Sequence, residues 1–538
     1  MRMIYLLTAI ALLGACSTPS NKEKTMTALP FEVTGAEAAM PMFQQGLLLL
    51  HNFEYDDAAE AFREAQKLDA DFTMAYWGEA MTYNHPVWRN QQTKKAQEVL
   101  NRLGEKSADR LARAKTGLEK DFISSVDLLY EDGRSKTDRD IAYSEAMKSM
   151  YDRYPGNHEV AAFYALSLLG IKEGWNKEQN ITGAQIAESI LKENPRHPGA
   201  LHYLIHSDDH PEYAQFALAA ANDYADVASY AGHALHMPSH IYLALGMWDE
   251  VVKSNEVSWQ AGVDRREAKG LTNDALNYHA YWWLAYGYLQ QGRFEAARKV
   301  LDNQLQYATA LPSARARFHL QAIKGHYLVE TNDWSGAVQD IFIDSEDLSL
   351  VSRSAGRLIQ GMAAYHRKDA QALAAATQLV EEDLAVVNRL TLEKGVAVCG
   401  ATLYADGIPS EGDFLTASMA LNELKGLSAW LRKDHAKAAS WFEEAAALED
   451  KIGYFFGPPD IVKPPHELYG EFLLATGRPA DADIQFDLAL KRAPGRVRSL
   501  KGSLEASKQI KNPEKVAERE KQLQKILKNA DRKSEESV

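Results

Sequence analysis

The chain of 538 residues predicts an all-α solenoid, a stack of helical hairpins. Three observations carry this. Apolar residues return at i, i+4 and i+7, the stripe of an amphipathic helix: Ala58, Phe62 and Ala65 show it first, and Ala438, Phe442, Ala445 and then Ala482, Phe486, Ala489 repeat it. A small residue precedes each stripe, Gly46, Gly426 and Gly470, where a partner helix packs closest. Two His-x-x-x-His pairs, His202/His206 and His236/His240, lie 34 residues apart (236 − 202 and 240 − 206), the length of a two-helix repeat. With 46% apolar and 25% charged residues the chain is globular.

The start, MRMIYLLTAIALLGAC, has a positive residue, a short apolar run and small residues before a cysteine, the pattern of a secretion signal. Leu13-Gly14-Ala15-Cys16 resembles the bacterial lipobox. That resemblance implies a signal peptide over 1–15, cleavage before Cys16, acylation of Cys16, and a membrane anchor. Ser17 after the cysteine suggests the outer membrane, with the protein in the cell envelope facing the periplasm. Residues 16–30 read as a polar tether. Only Cys399 remains, so a disulfide framework is excluded. The net charge is −14, or −15 once Arg2 leaves with the signal. No basic run precedes the C-terminus, which argues against nucleic acid as a partner.

Residues 31–507 carry the helical repeats. Residues 42–70 open them, an irregular pair or insertion follows over about 89–135, and repeats resume from Ala184. Gln291-Gly292-Arg293, Trp334-Ser335-Gly336-Ala337 and Gly477-Arg478 mark further turns between paired helices. Residues 508–538 read as a capping helix with a charged tail. Over most of 40–495 the chain resembles the tetratricopeptide repeat family. The resemblance implies a right-handed superhelical solenoid whose first helices line an inner groove. The whole sequence also resembles bacterial repeat lipoproteins of unassigned activity that share the HALHMPSHIY and KPPHELYGE stretches.

Six of the 16 histidines fall between His202 and His240. His233, His236 and His240 form one helical stripe; counted back from the turn glycines Gly246 and Gly292, the resemblance to the repeat family implies that they and His279 face the inner groove. Imidazole is the commonest nitrogen ligand, and an i, i+4 pair presents two to one ion. His202, His206, His233, His236, His240 and His279 are therefore the candidate ligands of one crowded transition-metal ion or two adjacent ones, with zinc, copper, iron or nickel as the fitting metals. Asp208, Asp209 and Asp274 are candidates to orient the imidazoles. His51 and His85, again 34 apart (85 − 51), join His319, His326, Trp282 and Tyr286 as candidate pocket residues. Pro238, inside the histidine helix, predicts a kink. No G-x-S-x-G, H-E-x-x-H, Walker loop or G-x-G-x-x-G occurs, so the catalytic residues and reaction type stay open. Two functions follow: a groove metal site binding or transforming a small molecule or peptide, and a non-enzymatic scaffold docking protein partners at the cell envelope.

Overall fold

In the computed structural model, which describes residues 29–171, 174–394, 409–454 and 456–531, the hairpins close on single aromatic rings. Phe62, on the Tyr55–Leu68 helix, fills the space left by Gly46 and Gly78 on the Met40–His51 and Thr73–Met81 helices; a Cβ at either glycine would lie 2.8 or 2.4 Å from its ring. Phe442 packs the same way on Gly426, and Phe486 on Gly470, at 2.5 and 2.9 Å. A large ring facing a missing side chain fills the interface at crystal-like density, so neither partner can change size freely. Repetition stacks first helices such as Pro198–Asp208, Tyr278–Gln290 and Pro465–Ala475 on second helices Ala214–Val227, Phe294–Ala310 and Pro479–Arg492. The result is an all-α solenoid of stacked helical hairpins. No described helix is long and apolar enough to cross a membrane. The signal, Cys16, most of the tether, Cys399 and the last residues of the charged tail lie outside the described residues.

Two stretches depart from a regular stack. The irregular region is helical, as Thr93–Leu103, Ser107–Arg113 and Gly117–Leu129, preceded by a two-stranded ribbon pairing Asn84–His85 with Asn90–Gln91. Trp334–Ala337 does not start the second helix that its resemblance to other repeats predicts. Asn332 ends the Ala314–Thr331 helix in the left-handed region, and Asp333 Oδ1 accepts from the Ser335 and Gly336 N–H groups. That local turn satisfies backbone donors a helix would otherwise use. Lys324 holds the following chain by donating to the Gln339 and Ile341 carbonyls.

Both ends return to the middle of the spiral. Near the N-terminus, the His51 carbonyl accepts from His202, Glu54 from the His233 N–H, and Asp57 pairs with Arg265 and Lys269. Near the C-terminus, Trp248 donates to the Gly495 carbonyl and the Asp531 N–H to Gly292. Buried Arg496 donates two bonds to Glu467, one to the Tyr286 hydroxyl, and lies 2.8 Å from Glu330. Lys463 and Arg498 complete this network on Glu467 and Glu471, three cations on three carboxylates. Glu467 and Glu471 thus serve as counter-charges. The chain itself fills much of the expected groove.

Candidate metal centre

Successive steps of the solenoid supply the imidazoles. His202 and His206 lie one turn apart on the Pro198–Asp208 helix, while His236 and His240 flank Pro238 in the next first helix. Pro238 has no N–H to donate, and the expected kink is a full break: Gly232–His236 ends and Pro238–Ala244 begins. Each pair gains a third ring from the first turn of the following helix. The donor nitrogens of His202, His206 and His233 all lie within 4.8 Å of one another, and so do those of His236, His240 and His279. The trios adjoin, with the His206 and His240 rings 5.7 Å apart and those of His233 and His236 6.3 Å apart. His233 and His279 are half-buried and the other four buried.

The contacts of Nδ1 fix the tautomers. It lies 2.6 Å from the His51 carbonyl in His202, 2.6 Å from Asn255 Oδ1 in His236, and 2.5 Å from Asp209 Oδ2 in His240. Asn255 donates its amide N–H to the Val251 carbonyl, which turns its oxygen toward His236. All three partners are acceptors, so each Nδ1 carries a proton and each Nε2 a lone pair. His202 Nε2 lies 3.2 Å from Nε2 of His233, a ring able to donate an N–H to it. Nε2 of His236, however, faces Nε2 of His240 at 3.2 Å. Two lone pairs at that distance repel unless a cation lies between them. A proton fits poorly, because burial and then His240 pull His236 down to about 3. Burial, then neighbouring imidazoles, also holds His202, His206 and His233 well below the ordinary value. A tetrahedral ion with bonds of about 2.0–2.1 Å sets neighbouring nitrogens about 3.3–3.4 Å apart, close to the observed edges. His206 Nε2 is buried and unpartnered.

A third cluster, His51, Glu159 and His197, is also within ligating distance but is chemically complete. His51 Nδ1 accepts from the Tyr203 hydroxyl and His197 Nδ1 from the Ala200 N–H, so each donates its Nε2–H to Glu159. Burial pushes the Glu159 carboxyl up, but those two imidazoles outweigh it and hold it below the ordinary range. No lone pair is left for an ion. His51 serves the centre through its carbonyl.

The other sequence candidates divide. Asp209 orients His240 as expected. Asp208 and Asp274 do not reach the imidazoles: burial and Glu188 push Asp208 up to about 7, and Asp274 accepts from the Ser313 hydroxyl. His85 stacks on Tyr55 at 4.0 Å and lies one ring from the centre, through Trp88. His319 donates to the Arg315 carbonyl. His326 is buried with both nitrogens unpartnered, its ring 5.9 Å from Trp282 and 5.0 Å from Tyr286. Trp282 and Tyr286 follow His279 by three and seven residues, as His236 and His240 follow His233. They occupy the places an imidazole pair would take at the next step, and there the ladder of trios stops.

Sequence reasoning missed Asn255, Phe53 and Trp283. Asn255 comes from a second helix and Phe53 from the first repeat, 4.3 Å from the His202 ring. Trp283 lies 4.8 and 4.4 Å from His236 and His240; its place one turn after His279 was the available signal. Gly457, at φ +109°, presses on the far side of Trp283, where a Cβ would come within 2.4 Å of Cζ2. Beyond Gly457 a small cleft of about 90 Å³ is lined by Met419, Ile452, Tyr454, Asp460 and Arg492.

No family model and no curated protein matches the chain. Among solved structures it is similar to the APC/C hetero-tetramer Cut9–Hcn1, at 14% identity over 89% of this chain and 78% of that one, TM-score 0.36. It is similar to yeast Tom70 at 13% identity over 90% and 99%, TM-score 0.32. It is also similar to a Rap protein complexed with competence and sporulation factor, at 14% over 74% and 99%, TM-score 0.34. At these identities and TM-scores the likenesses carry no argument about this chain.

Proposed function

We propose that this chain is a metalloprotein whose solenoid builds a transition-metal centre from His202, His206, His233, His236, His240 and His279, and that a small molecule or peptide is bound or transformed there. The facing lone pairs of His236 and His240, 3.2 Å apart with both Nδ1–H groups committed elsewhere, carry this reading. The carboxylate behind His240 is the partner a metal-bound imidazole usually has, since it raises the basicity of the ligating nitrogen. Metal analysis of untagged protein tests the proposal: bound zinc, copper, iron or nickel in the parent, reduced in His236→Ala and His240→Ala, supports it. A parent that neither carries nor takes up metal refutes it.

A second reading is a protein-docking scaffold; Phe342 and Phe216, 86% and 67% exposed, are large apolar side chains left at its surface. A stoichiometric partner retained by both histidine variants would favour it. Attachment to the cell envelope through Cys16 belongs to the proposal on its sequence motif alone; incorporation of labelled fatty acid, lost in Cys16→Ser, is the expected result.

A further inference from the structure

The six imidazoles do not form one donor set. An octahedral ion bonded at about 2.1 Å would hold its most distant donors about 4.2 Å apart. Here mutual proximity within 4.8 Å sorts the nitrogens into His202, His206, His233 and His236, His240, His279. The two sets share one construction. Each takes a pair four residues apart from one solenoid step, on a single helix for His202 and His206 and across the Pro238 break for His236 and His240, and a single ring from the first turn of the next first helix, so the solenoid builds closely similar sites twice, one step apart. Resting on the metal reading above, we infer that the centre is two ion sites, one per trio, each with three protein nitrogens and an open fourth position, and that the His236–His240–His279 site fills first.

The order follows from what stands behind each trio. In the second, His240 donates to the buried carboxylate of Asp209 at 2.5 Å, which offsets the ion's charge and makes the imidazole a stronger donor. In the first, His202 donates to a neutral backbone carbonyl, and the nearby carboxyl, Glu54, accepts the backbone N–H of His233 without touching a ring. Moving a divalent charge out of water is costly without a counter-charge, so the trio backed by Asp209 holds its ion more tightly. Three neutral donors with one vacancy match a late first-row ion that keeps an exchangeable ligand, the arrangement of catalytic rather than structural sites.

Metal-free full-length chain titrated with Zn²⁺ against a chromophoric chelator, and with Co²⁺ for its visible bands, tests both parts. His233 and His279 are the half-buried ligands, so substituting them disturbs packing least. Two equivalents per chain are expected in the parent, one tight equivalent in His233→Ala, and one weaker equivalent in His279→Ala. Asp209→Asn should weaken the tighter step by about 10–100-fold and leave the other unchanged. Saturation at one equivalent, or loss of all binding in both single variants, overturns the two-site inference while leaving a metal centre standing. No binding in the parent defeats the metal reading itself. Two equal steps, or an Asp209→Asn effect on neither, overturn the order.

Discussion

His326 gives a stability prediction whose size can be worked out. Its ring is buried beside Trp282 and Tyr286, neither nitrogen has a partner, and burial, then the Arg496 guanidinium, pulls it from 6.5 down to about 3. In the unfolded chain the same imidazole titrates at its ordinary value. Between these values the unfolded state binds a proton that the fold excludes. The contribution of neutral His326 is therefore fully present above pH 6.5 and is lost as pH falls toward 3. At pH 5 the unfolded chain gains RT ln(1 + 10^1.5), about 2 kcal/mol, from protonating this one residue, against almost nothing at pH 7.5. His326→Phe keeps the ring, removes the two unpartnered nitrogens, and abolishes the titration. Urea unfolding of the metal-free parent and variant at both pH values is the assay. The variant should gain about 2 kcal/mol relative to the parent on moving from pH 7.5 to 5. Asp460, pushed up to about 6 by burial and then by Asp413, lines a small cleft together with His326 and Trp282 and titrates in both proteins, so it drops out of the difference. A pH-dependent difference below about 0.5 kcal/mol would mean that the imidazole is charged inside the fold, refuting the account of its burial.

Two further changes probe the structure around the centre. Gly457→Ala places a Cβ against Trp283 at a positive φ, and should cost about 1–3 kcal/mol and shift the tryptophan emission, measured by denaturation followed in fluorescence. Glu467→Gln removes one carboxylate from the buried network and leaves Arg496 and Lys463 undercompensated. It should destabilise the fold by about 3–5 kcal/mol at pH 7, read from the urea midpoint, while a loss under about 1 kcal/mol would show the network to be solvated.

The repeat architecture was legible because its rule is local. Gly46 against Phe62 and Gly470 against Phe486 sit at fixed offsets, and the offsets survive even where caps and turns vary. The two histidine pairs were legible for the same reason, since the 34-residue period carries a side chain from one coil to the same face of the next. What the sequence could not show was held by distant parts of the chain. The His51 carbonyl that fixes the tautomer of His202 has no side-chain signature, and Asn255 sits on a second helix whose register against His236 is set by packing. Asp208 and Asp274 looked equivalent to Asp209 because adjacency in sequence says nothing about which way a carboxylate points at a helix end. The missing helix after Asn332 was misjudged because Trp334-Ser335-Gly336-Ala337 matches a repeat turn, while the Asp333 side chain captures the same backbone donors.

The return of the first repeat onto the histidine helices bears on when the centre can come into being. His202 is aimed by a carbonyl 151 positions earlier, and the backbone of His233 by a carboxylate 179 positions earlier. Until those remote segments have met, the rings lack their tautomers and their aim, and a nascent or partly opened chain would offer an ion only scattered, mobile imidazoles. Acquisition of metal should therefore come last, as a seal on a finished spiral rather than a seed for it.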